Sequence, residues 1–237
     1  MMKTGVLIVV IVGLALTLSF KQNNDSYSVT VVELFTSQGC SSCPSADKLL
    51  SELSKKENVL ALSFHVSYWN YLGWKDPYSN EQYTERQRDY ARVLHLRSIY
   101  TPQMIVNGKN EFVGSDRVKA QETIKETISS QKVALKVEQR DTEVQIDYSL
   151  EGPTENRWVH VALVERHVRN EVPKGENSGR ILEHDNVVRI FKSLEAKASG
   201  SLKVELPEGL NPGNAAIIVY IQNKKTFEIT GGSKNIL

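Results

Sequence analysis

The chain has 237 residues, with 29 lysines and arginines against 28 aspartates and glutamates and a formal net charge of +1. That length is enough for one or two domains with a hydrophobic core. The balanced charge provides no positive field for phosphate backbones, so no nucleic acid is expected as a partner. The 2 cysteines exclude a disulfide-rich scaffold and a zinc site with four thiolates.

Residues 1–20 have the pattern of a secretory signal. Lys3 precedes the apolar stretch Val6–Leu18, and a positive start followed by such a stretch is typical of exported proteins. This predicts export to the periplasm, the cell envelope or the medium, with residues 1–20 as a signal peptide or a retained N-terminal anchor. The membrane is expected as a partner only through this segment, if it stays uncleaved. The polar residues 21–28 are predicted to be a tether.

The residues after the tether alternate between strand and helix patterns. Val29–Phe35 is a β-branched run that ends at a turn, and Val59–Val66 is an apolar run typical of a strand buried on both faces. Between them, apolar residues recur at helical spacing from Ala46 to Leu53. Cys40 and Cys43 lie between the first strand and this helix. The predicted order is therefore strand, C-x-x-C turn, helix, strand.

Residues 79–130 are predicted to form two helices and a hairpin. The first helix has Ser79 or Asn80 as its cap, and the second follows Ser115 or Asp116. Between the two helices, Asn107-Gly108 is a strong hairpin signal because both residues tolerate the positive φ that tight turns require.

From residue 131 onward the hydrophobic pattern changes to a period of two. Segments that alternate or are rich in β-branched residues are separated by glycines and prolines, and they read VALKVE, TEVQIDY, WVHVALVE, SLKVELP and AAIIVYIQ. This pattern predicts a small antiparallel β-sandwich over residues 131–237. It follows an α/β domain over residues 29–130.

Cys40 and Cys43 carry all the thiol chemistry of the chain. The junction of strand and helix places the Cys40 sulfur near the free N–H groups at the helix start, which stabilise a thiolate and lower the cysteine pKa. Cys43, one turn further on, is placed to close an intramolecular disulfide. In an oxidising compartment this disulfide is the expected resting form. It is the redox group that the sequence predicts, and no separate cofactor is expected.

The order of these elements, with Thr101-Pro102 before the hairpin, resembles the thioredoxin superfamily over roughly residues 29–130. The chain is also similar to a group of exported thioredoxin-like proteins of unknown function, in the segments ELFTSQGCSSCPSAD, HVSYWNYLGW, YTPQMIVNG and GENSGRILEHDNVVR. The resemblance implies a thioredoxin-like domain with a helical insertion, Cys40 as the attacking thiol and Cys43 as the resolving thiol. It also implies that Pro102, with Thr101, forms a cis-proline loop beside the cysteines.

The chain departs from ordinary thioredoxins around the cysteines. Ser41 and Ser42 stand where Gly-Pro is usual, and Gly39 rather than a tryptophan precedes Cys40. The sequence therefore sets neither the direction of electron transfer nor the partner.

Two further groups near the cysteines each have a functional and a structural interpretation. The aromatic residues Trp69, Tyr71 and Trp74 form either a substrate groove beside Cys40 or a small core that fastens the inserted helix to the sheet. Glu33, on the strand before the cysteines, is either a proton acceptor for Cys43 or the partner of a basic group.

Arg180, His184 and Arg189 form a candidate docking patch within or after the polar segment GENSGR. The alternative is a solvated loop ordered by its own hydrogen bonds. A metal site would need His65 or His95 to approach both thiols, and we expect no bound metal.

The sequence predicts an exported protein that exchanges disulfides through Cys40 and Cys43 with an envelope protein or peptide thiol. Two other hypotheses remain open at this point. One is a non-catalytic binding or adaptor protein of the cell envelope, and the other is metal delivery through the two cysteines. The cysteines could also form an inert structural bridge, although closing so short a loop removes little chain entropy.

Overall fold

The structure is a computed structural model that describes residues 28–126, 129 and 131–237. The predicted signal or anchor segment and all but the last residue of the tether lie outside the described residues. Within the described residues, no helix is both long enough and apolar enough to cross a bilayer.

The first part of the described chain contains three α-helices and four strands. In chain order the elements are β1 (Thr30–Thr36), α1 (Pro44–Ser54), β2 (Val59–His65), a 3-10 helix (Asn70–Leu72), α2 (Glu81–Val93), β3 (Gln103–Val106), β4 (Asn110–Val113) and α3 (Arg117–Glu126). Asn80 caps α2, since its side chain accepts a hydrogen bond from the Gln82 N–H. The turn between β3 and β4 has positive φ at Asn107 and Gly108, as the hairpin prediction requires.

The second part of the described chain is almost entirely strand. Its elements are β5 (Val133–Arg140), β6 (Glu143–Leu150), β7 (Arg157–Val172), β8 (Arg180–Glu195), β9 (Ser199–Glu205), a 3-10 helix (Pro212–Asn214), β10 (Ala215–Asn223) and β11 (Ile229–Ile236). Strands β7 and β8 are 16 residues each and pair antiparallel along their length. They are long enough to reach from the second half of the chain to the strands of the first.

One sheet of 8 strands joins the two parts, in the order β11-β10-β7-β8-β2-β1-β3-β4. Strand β1 pairs parallel with β2 and antiparallel with β3, and β2 pairs parallel with β8 through Ser63 and Val187. A second sheet of 3 strands has the order β5-β6-β9. The fold is therefore mixed α/β, with one large sheet and few helices. The division into residues 29–130 and 131–237 stays a prediction, and strands from both ranges share the large sheet.

The side chains of β7 and β10 alternate between the two faces of the large sheet, and apolar residues cover both faces. Odd-numbered residues such as Val161 and Val219 face the three-stranded sheet, where they meet Ile146 of β6. Even-numbered residues such as Val164 and Tyr220 face the core under α2. Because successive strand residues point to opposite faces, one strand contributes to two cores. On the other part of the sheet, α1 and α3 cover β1 and β3.

A buried ion pair fixes α2 to this sheet. Arg86 and Glu33 lie 2.7 Å apart, with side chains 7% and 0% exposed. The same Arg86 nitrogen also donates to the Tyr220 hydroxyl at 3.2 Å and to Gln222 Oε1 at 3.1 Å. Gln222 Oε1 in turn accepts from His160 Nε2 at 2.8 Å. Of the two interpretations of Glu33, the structure places it against a basic partner. We call these five residues the Arg86 cluster.

Candidate functional site

Cys40 and Cys43 form a disulfide at the junction of β1 and α1, with their Cα atoms 5.4 Å apart. Cys43 is the N-cap residue of α1 and already has helical φ and ψ. Pro44 follows as the first helical residue, where its missing N–H leaves no bond unmade. Cys40 is 1% exposed and Cys43 0%, while Ser41 and Ser42 between them are exposed. The disulfide thus lies just below the surface, at a helix N-terminus.

Trp69 links the cysteine turn to the predicted proline loop. Its indole N–H donates to Thr101 Oγ1 at 2.8 Å. A Cβ on Gly39 would lie 2.9 Å from the Trp69 Cβ, which explains why residue 39 carries no side chain. The Thr101–Pro102 bond is cis, as the resemblance implies. Pro102 also lies near the first turn of α1, since a Cβ on Gly114 would meet both Pro102 and Ala46 within 3.2 Å.

The three aromatic residues of the predicted groove have different surroundings. Trp69 is half-buried and packs against the core under α2. Trp74 is half-buried and donates its indole N–H to Gln38 Oε1 at 3.0 Å. Tyr71 is 79% exposed. Trp69 and Trp74 therefore flank the segment that leads into Cys40, and Tyr71 faces solvent.

Residues 173–179, the turn between β7 and β8, lie against the cysteine segment. Asn177 is fully buried, and its Nδ2 donates to the Gln38 and Cys40 carbonyl oxygens, each at 2.9 Å. Glu176 Oε2 accepts from the Ser41 N–H at 3.0 Å, and the Ser41 side chain together with this N–H lowers the pKa of Glu176. We call this segment the 173–179 turn. A loop from the second half of the chain thus satisfies the backbone on both sides of Cys40.

Arg180, His184 and Arg189 do not share one surface patch. Arg180 is exposed and donates to Asn177 Oδ1 at 3.2 Å, so it supports the 173–179 turn. Arg189 lies over the Tyr78 ring, 5.3 Å from its centroid, and is paired with Glu165. His184 is 2% exposed and lies in the interior, where it faces Asp47 of α1.

Two buried histidine–aspartate pairs lie behind the disulfide. His184 Nδ1 is 3.4 Å from Asp47 Oδ2, and His65 Nδ1 is 2.7 Å from Asp76 Oδ2. The two imidazole rings meet edge to face with their centroids 4.7 Å apart. Gln38 touches both pairs, since its N–H donates to Asp76 at 2.8 Å and its Nε2 lies 3.5 Å from His184 Nε2. We call these five residues the His184 cluster.

The charges of the His184 cluster shift its pKa values. Burial alone raises the pKa of Asp76, but His65 and the N–H groups of Gln38 and Tyr78 outweigh it and hold that pKa below its usual value. Burial alone lowers the pKa of His184, but the nearby carboxylate of Asp47, aided by more distant acids, outweighs it and raises that pKa.

Sequence reasoning missed Asp47, Asp76 and Asn177 as members of this site. Asp47 carried one signal, because on α1 it lies four residues after Cys43 and three before Leu50, a residue of the apolar face. Among the described residues, no group of three or more His, Cys, Asp and Glu side chains is arranged to hold a metal ion. His65 is buried with Asp76, and His95 is exposed.

Comparison with known proteins places the chain in a family. The crystal structure of a protein from Agrobacterium tumefaciens is 30% identical, with a TM-score of 0.66, over 87% of this chain and 93% of that one. A DUF3823 family protein from Bacteroides ovatus shows 13% identity and a TM-score of 0.30, over 45% of this chain and 54% of that one.

A domain of the outer membrane lipoprotein Omp28 from Porphyromonas gingivalis shows 21% identity and a TM-score of 0.27, over 46% of this chain and 88% of that one. These last two similarities are too weak to support an argument. No curated protein matches the chain. The model of the family described as "Protein of unknown function (DUF1223)" matches residues 31–222, from β1 to β10 and therefore across both parts of the large sheet. The chain belongs to the DUF1223 family.

Proposed function

We propose that this protein exchanges disulfides with an envelope protein or peptide thiol, through Cys40 and Cys43 on a thioredoxin-like core. The observation that carries the proposal is the Cys40–Cys43 disulfide at the N-terminus of α1, joined to the Thr101–Pro102 loop through Trp69. Export, inferred from residues 1–20, would place the protein in a compartment where disulfides persist.

The strand order supports the proposed thioredoxin-like core. Strands β1 and β2 are parallel with α1 between them in sequence, and β3 and β4 form an antiparallel hairpin followed by α3. In the sheet these strands have the order β2-β1-β3-β4. That is the arrangement which the sequence resemblance implies for residues 29–130. Helix α2 is then the insertion, and β8 extends the sheet beyond β2.

The proposed reaction begins with a partner thiolate that attacks the Cys40 sulfur. A bond forms between the two sulfurs, the Cys40–Cys43 bond breaks, and its electron pair leaves on Cys43. A second partner thiolate then attacks the partner sulfur of the mixed disulfide, and Cys40 leaves as a thiolate. The partner is oxidised to a disulfide and this protein is reduced to a dithiol. The reverse sequence reduces a partner disulfide to a dithiol when the protein starts as the dithiol, and it leaves the protein with its Cys40–Cys43 disulfide.

The burial of Cys40 sets a condition on this reaction. Because the residue is 1% exposed, a partner thiol reaches its sulfur only when neighbouring groups move. The 173–179 turn is held against the cysteine segment by polar contacts of Glu176 and Asn177. We expect a partner to displace this turn or to pair with the same backbone groups.

Mixed-disulfide trapping tests the proposal. The reduced Cys43→Ala variant should form a stable mixed disulfide with a peptide that contains an activated disulfide, because no second thiol remains to resolve it. The matched Cys40→Ala variant should trap far less, because the proposed reaction forms its mixed disulfide on Cys40. If the wild-type disulfide stays oxidised across a series of glutathione ratios that reduces ordinary exchange proteins, and Cys43→Ala traps no peptide, the exchange function is wrong.

The burial of Cys40 also favours a second candidate function, a binding or adaptor role. Tyr71 is a large aromatic side chain that is 79% exposed near the cysteine segment, and it would suit a protein partner. In that case Tyr71→Ala should abolish recovery of the partner from the cell envelope, and the double variant Cys40→Ala, Cys43→Ala should not. The opposite result would support the exchange function.

A further inference from the structure

Asp47 is a buried carboxylate with only one long contact to a donor. It is 4% exposed, and neither of its side-chain oxygens has a hydrogen-bond partner among the described residues. Its nearest charged neighbour is His184, at 3.4 Å, beyond good hydrogen-bond geometry. Burying a carboxylate with only this long contact is costly, so a second, closer donor would stabilise it.

Cys43 is placed to become that donor when the disulfide opens. The Asp47 N–H donates to the Cys43 carbonyl at 3.0 Å, and the Cys43 backbone is helical. Side chains four residues apart on a helix lie on the same face, with their Cβ atoms about 5–6 Å apart. A reduced Cys43 therefore presents its thiol on the face of α1 that carries the Asp47 carboxylate.

Gln38 favours one tautomer of the neutral His184 imidazole, the ring that faces Asp47. The Trp74 indole is a donor, so the Gln38 atom that it contacts at 3.0 Å must be the carbonyl Oε1. Gln38 Nε2 then points at Asn170 Oδ1, 3.4 Å away, and at His184 Nε2, 3.5 Å away, and this favours a neutral imidazole whose Nε2 is unprotonated. The proton of the neutral imidazole consequently lies on Nδ1, the nitrogen that faces Asp47.

The surroundings of this pair contain several other titratable groups. His65 faces the His184 ring from β2, with Asp76 and Tyr78 behind it from the segment before α2. Asp185 contributes a negative charge from β8 itself. Asp47 also lines a cleft of about 480 Å³ between α1 and β8, together with Lys48, Glu52, Lys55, His167, Glu183 and Asp185. The cleft gives the buried pair a route to solvent for a proton.

Resting on the exchange reaction proposed above, we propose that Asp47, backed by His184, takes the proton from the Cys43 thiol and returns it. When Cys43 attacks a mixed disulfide on Cys40, its proton moves to Asp47, the Cys43–Cys40 bond forms, and the partner leaves as a thiolate. In the reverse direction, Cys43 leaves as a thiolate and receives that proton. His184 is a positioning residue, because it acts through Asp47.

A two-phase reaction with dithiobis(nitrobenzoate) separates the attack by Cys43, with its proton transfer to Asp47, from the earlier attack by Cys40. Thiolate Cys40 of the reduced protein releases one coloured thionitrobenzoate, and resolution by Cys43 releases the second. Asp47→Asn should slow the second phase on the order of 100-fold, the usual scale for losing a general base, and leave the first phase nearly unchanged. His184→Gln should slow the second phase less and move the midpoint of its pH–rate profile.

Glu57→Gln is the matched control, because Glu57 is an exposed carboxylate just after α1 and does not line the cleft. It should change neither phase. A second phase that is unaltered in Asp47→Asn, or two phases that slow equally, overturns the proposal and leaves disulfide exchange intact.

If Asp47→Asn does not fold, the pH dependence of the second phase in the wild-type protein provides the test. A second-phase rate that follows the titration of an ordinary thiol, with a pKa of about 8.5, then overturns the assignment. Failure of the wild type to release a second thionitrobenzoate would instead overturn the exchange function itself.

Discussion

Two buried polar clusters join the first half of the chain to the second, and they differ in the kind of charge they hold. The Arg86 cluster contains a guanidinium, which stays protonated, and it ties α2 to β1, β7 and β10. The His184 cluster ties α1 and β2 to β8, and its charged members are carboxylates and imidazoles. The guanidinium of the first cluster keeps its charge at any ordinary pH, while the second cluster has no such permanent cation.

The pKa values of His160 and His184, one buried histidine from each cluster, reflect this difference. Burial, together with the positive charge of Arg86, lowers the pKa of His160 well below the usual histidine value. The pKa of His184 is raised instead, because the nearby carboxylates outweigh its burial. A buried charge is therefore not by itself a sign of function. A buried group that can change its charge, next to a disulfide at a helix N-terminus, is a better candidate.

The largest expected effect is the loss of stability when the Arg86 cluster is broken. Arg86→Met leaves the fully buried Glu33 without its partner, and we expect a loss of about 3–5 kcal/mol in the free energy of unfolding. Urea unfolding monitored by circular dichroism measures it. Arg88→Met on the same helix is the control, and it should change little because Arg88 pairs with exposed glutamates. Equal losses in both variants would contradict a special role for the buried pair.

A smaller effect is expected at the contact between the second half of the chain and the cysteines. Asn177→Ala removes the side-chain donor to the Gln38 carbonyl and leaves the Cys40 carbonyl with only the Cys43 N–H, which should cost about 1–3 kcal/mol. Dithiothreitol should also reduce the disulfide faster, since the 173–179 turn loses its main anchor. Ser178→Ala, which removes only a bond within the turn to the Pro173 carbonyl, should leave the reduction rate unchanged. A reduction rate that Asn177→Ala does not alter would show that the turn does not limit access.

The local features of the site could be predicted from the sequence because each depends on neighbouring residues. The C-x-x-C turn lies between a strand and a helix, Asn80 caps α2, and the hairpin turns at Asn107-Gly108. Each follows from a turn or cap preference acting over a few positions.

The joining of the two halves could not be predicted, because it depends on β8, which shows no clear period of two. The alternation of β8 breaks near Asn186, which has a positive φ, and the register with β7 shifts between Leu163 and Val164. Its buried His184 also resembles a polar loop residue in sequence. Without β8 as a strand, neither the continuous sheet nor the contact of His184 with Asp47 is visible in the sequence.

The pH dependence of stability sharpens the comparison of the two histidines. The folded protein keeps His160 neutral, so below the unfolded histidine pKa of about 6.5 the unfolded chain binds a proton that the folded one does not. As the pH decreases below that value, His160 should therefore lower the free energy of unfolding by at most about 1.4 kcal/mol per pH unit. His160→Gln should remove this contribution to the slope.

His184 should act in the opposite direction. Because its folded pKa is raised, its stabilising contribution is complete below the unfolded pKa and is lost as the pH rises through the folded one. Urea midpoints measured between pH 5 and pH 8 should therefore show His160→Gln and His184→Gln changing the pH profile with opposite signs. Slopes of the same sign in the two variants would mean that the two clusters do not differ in charge as described.

The smallest expected effect concerns the Gln38 carboxamide, whose orientation affects the protonation of His184. Trp74→Phe removes the donor that orients Gln38, at a cost of about 0.5–1.5 kcal/mol. The carboxamide can then rotate and offer its oxygen to a protonated His184 Nε2. We expect the pKa of His184 to rise further, as measured by titration of its ring signals by nuclear magnetic resonance. Trp158→Phe is the control, because the Trp158 ring lies under Lys224, 4.1 Å from its ammonium, and not beside Gln38. If Trp74→Phe leaves the His184 titration where it is, Gln38 does not set the tautomer, and the Nδ1 proton facing Asp47 loses its structural basis.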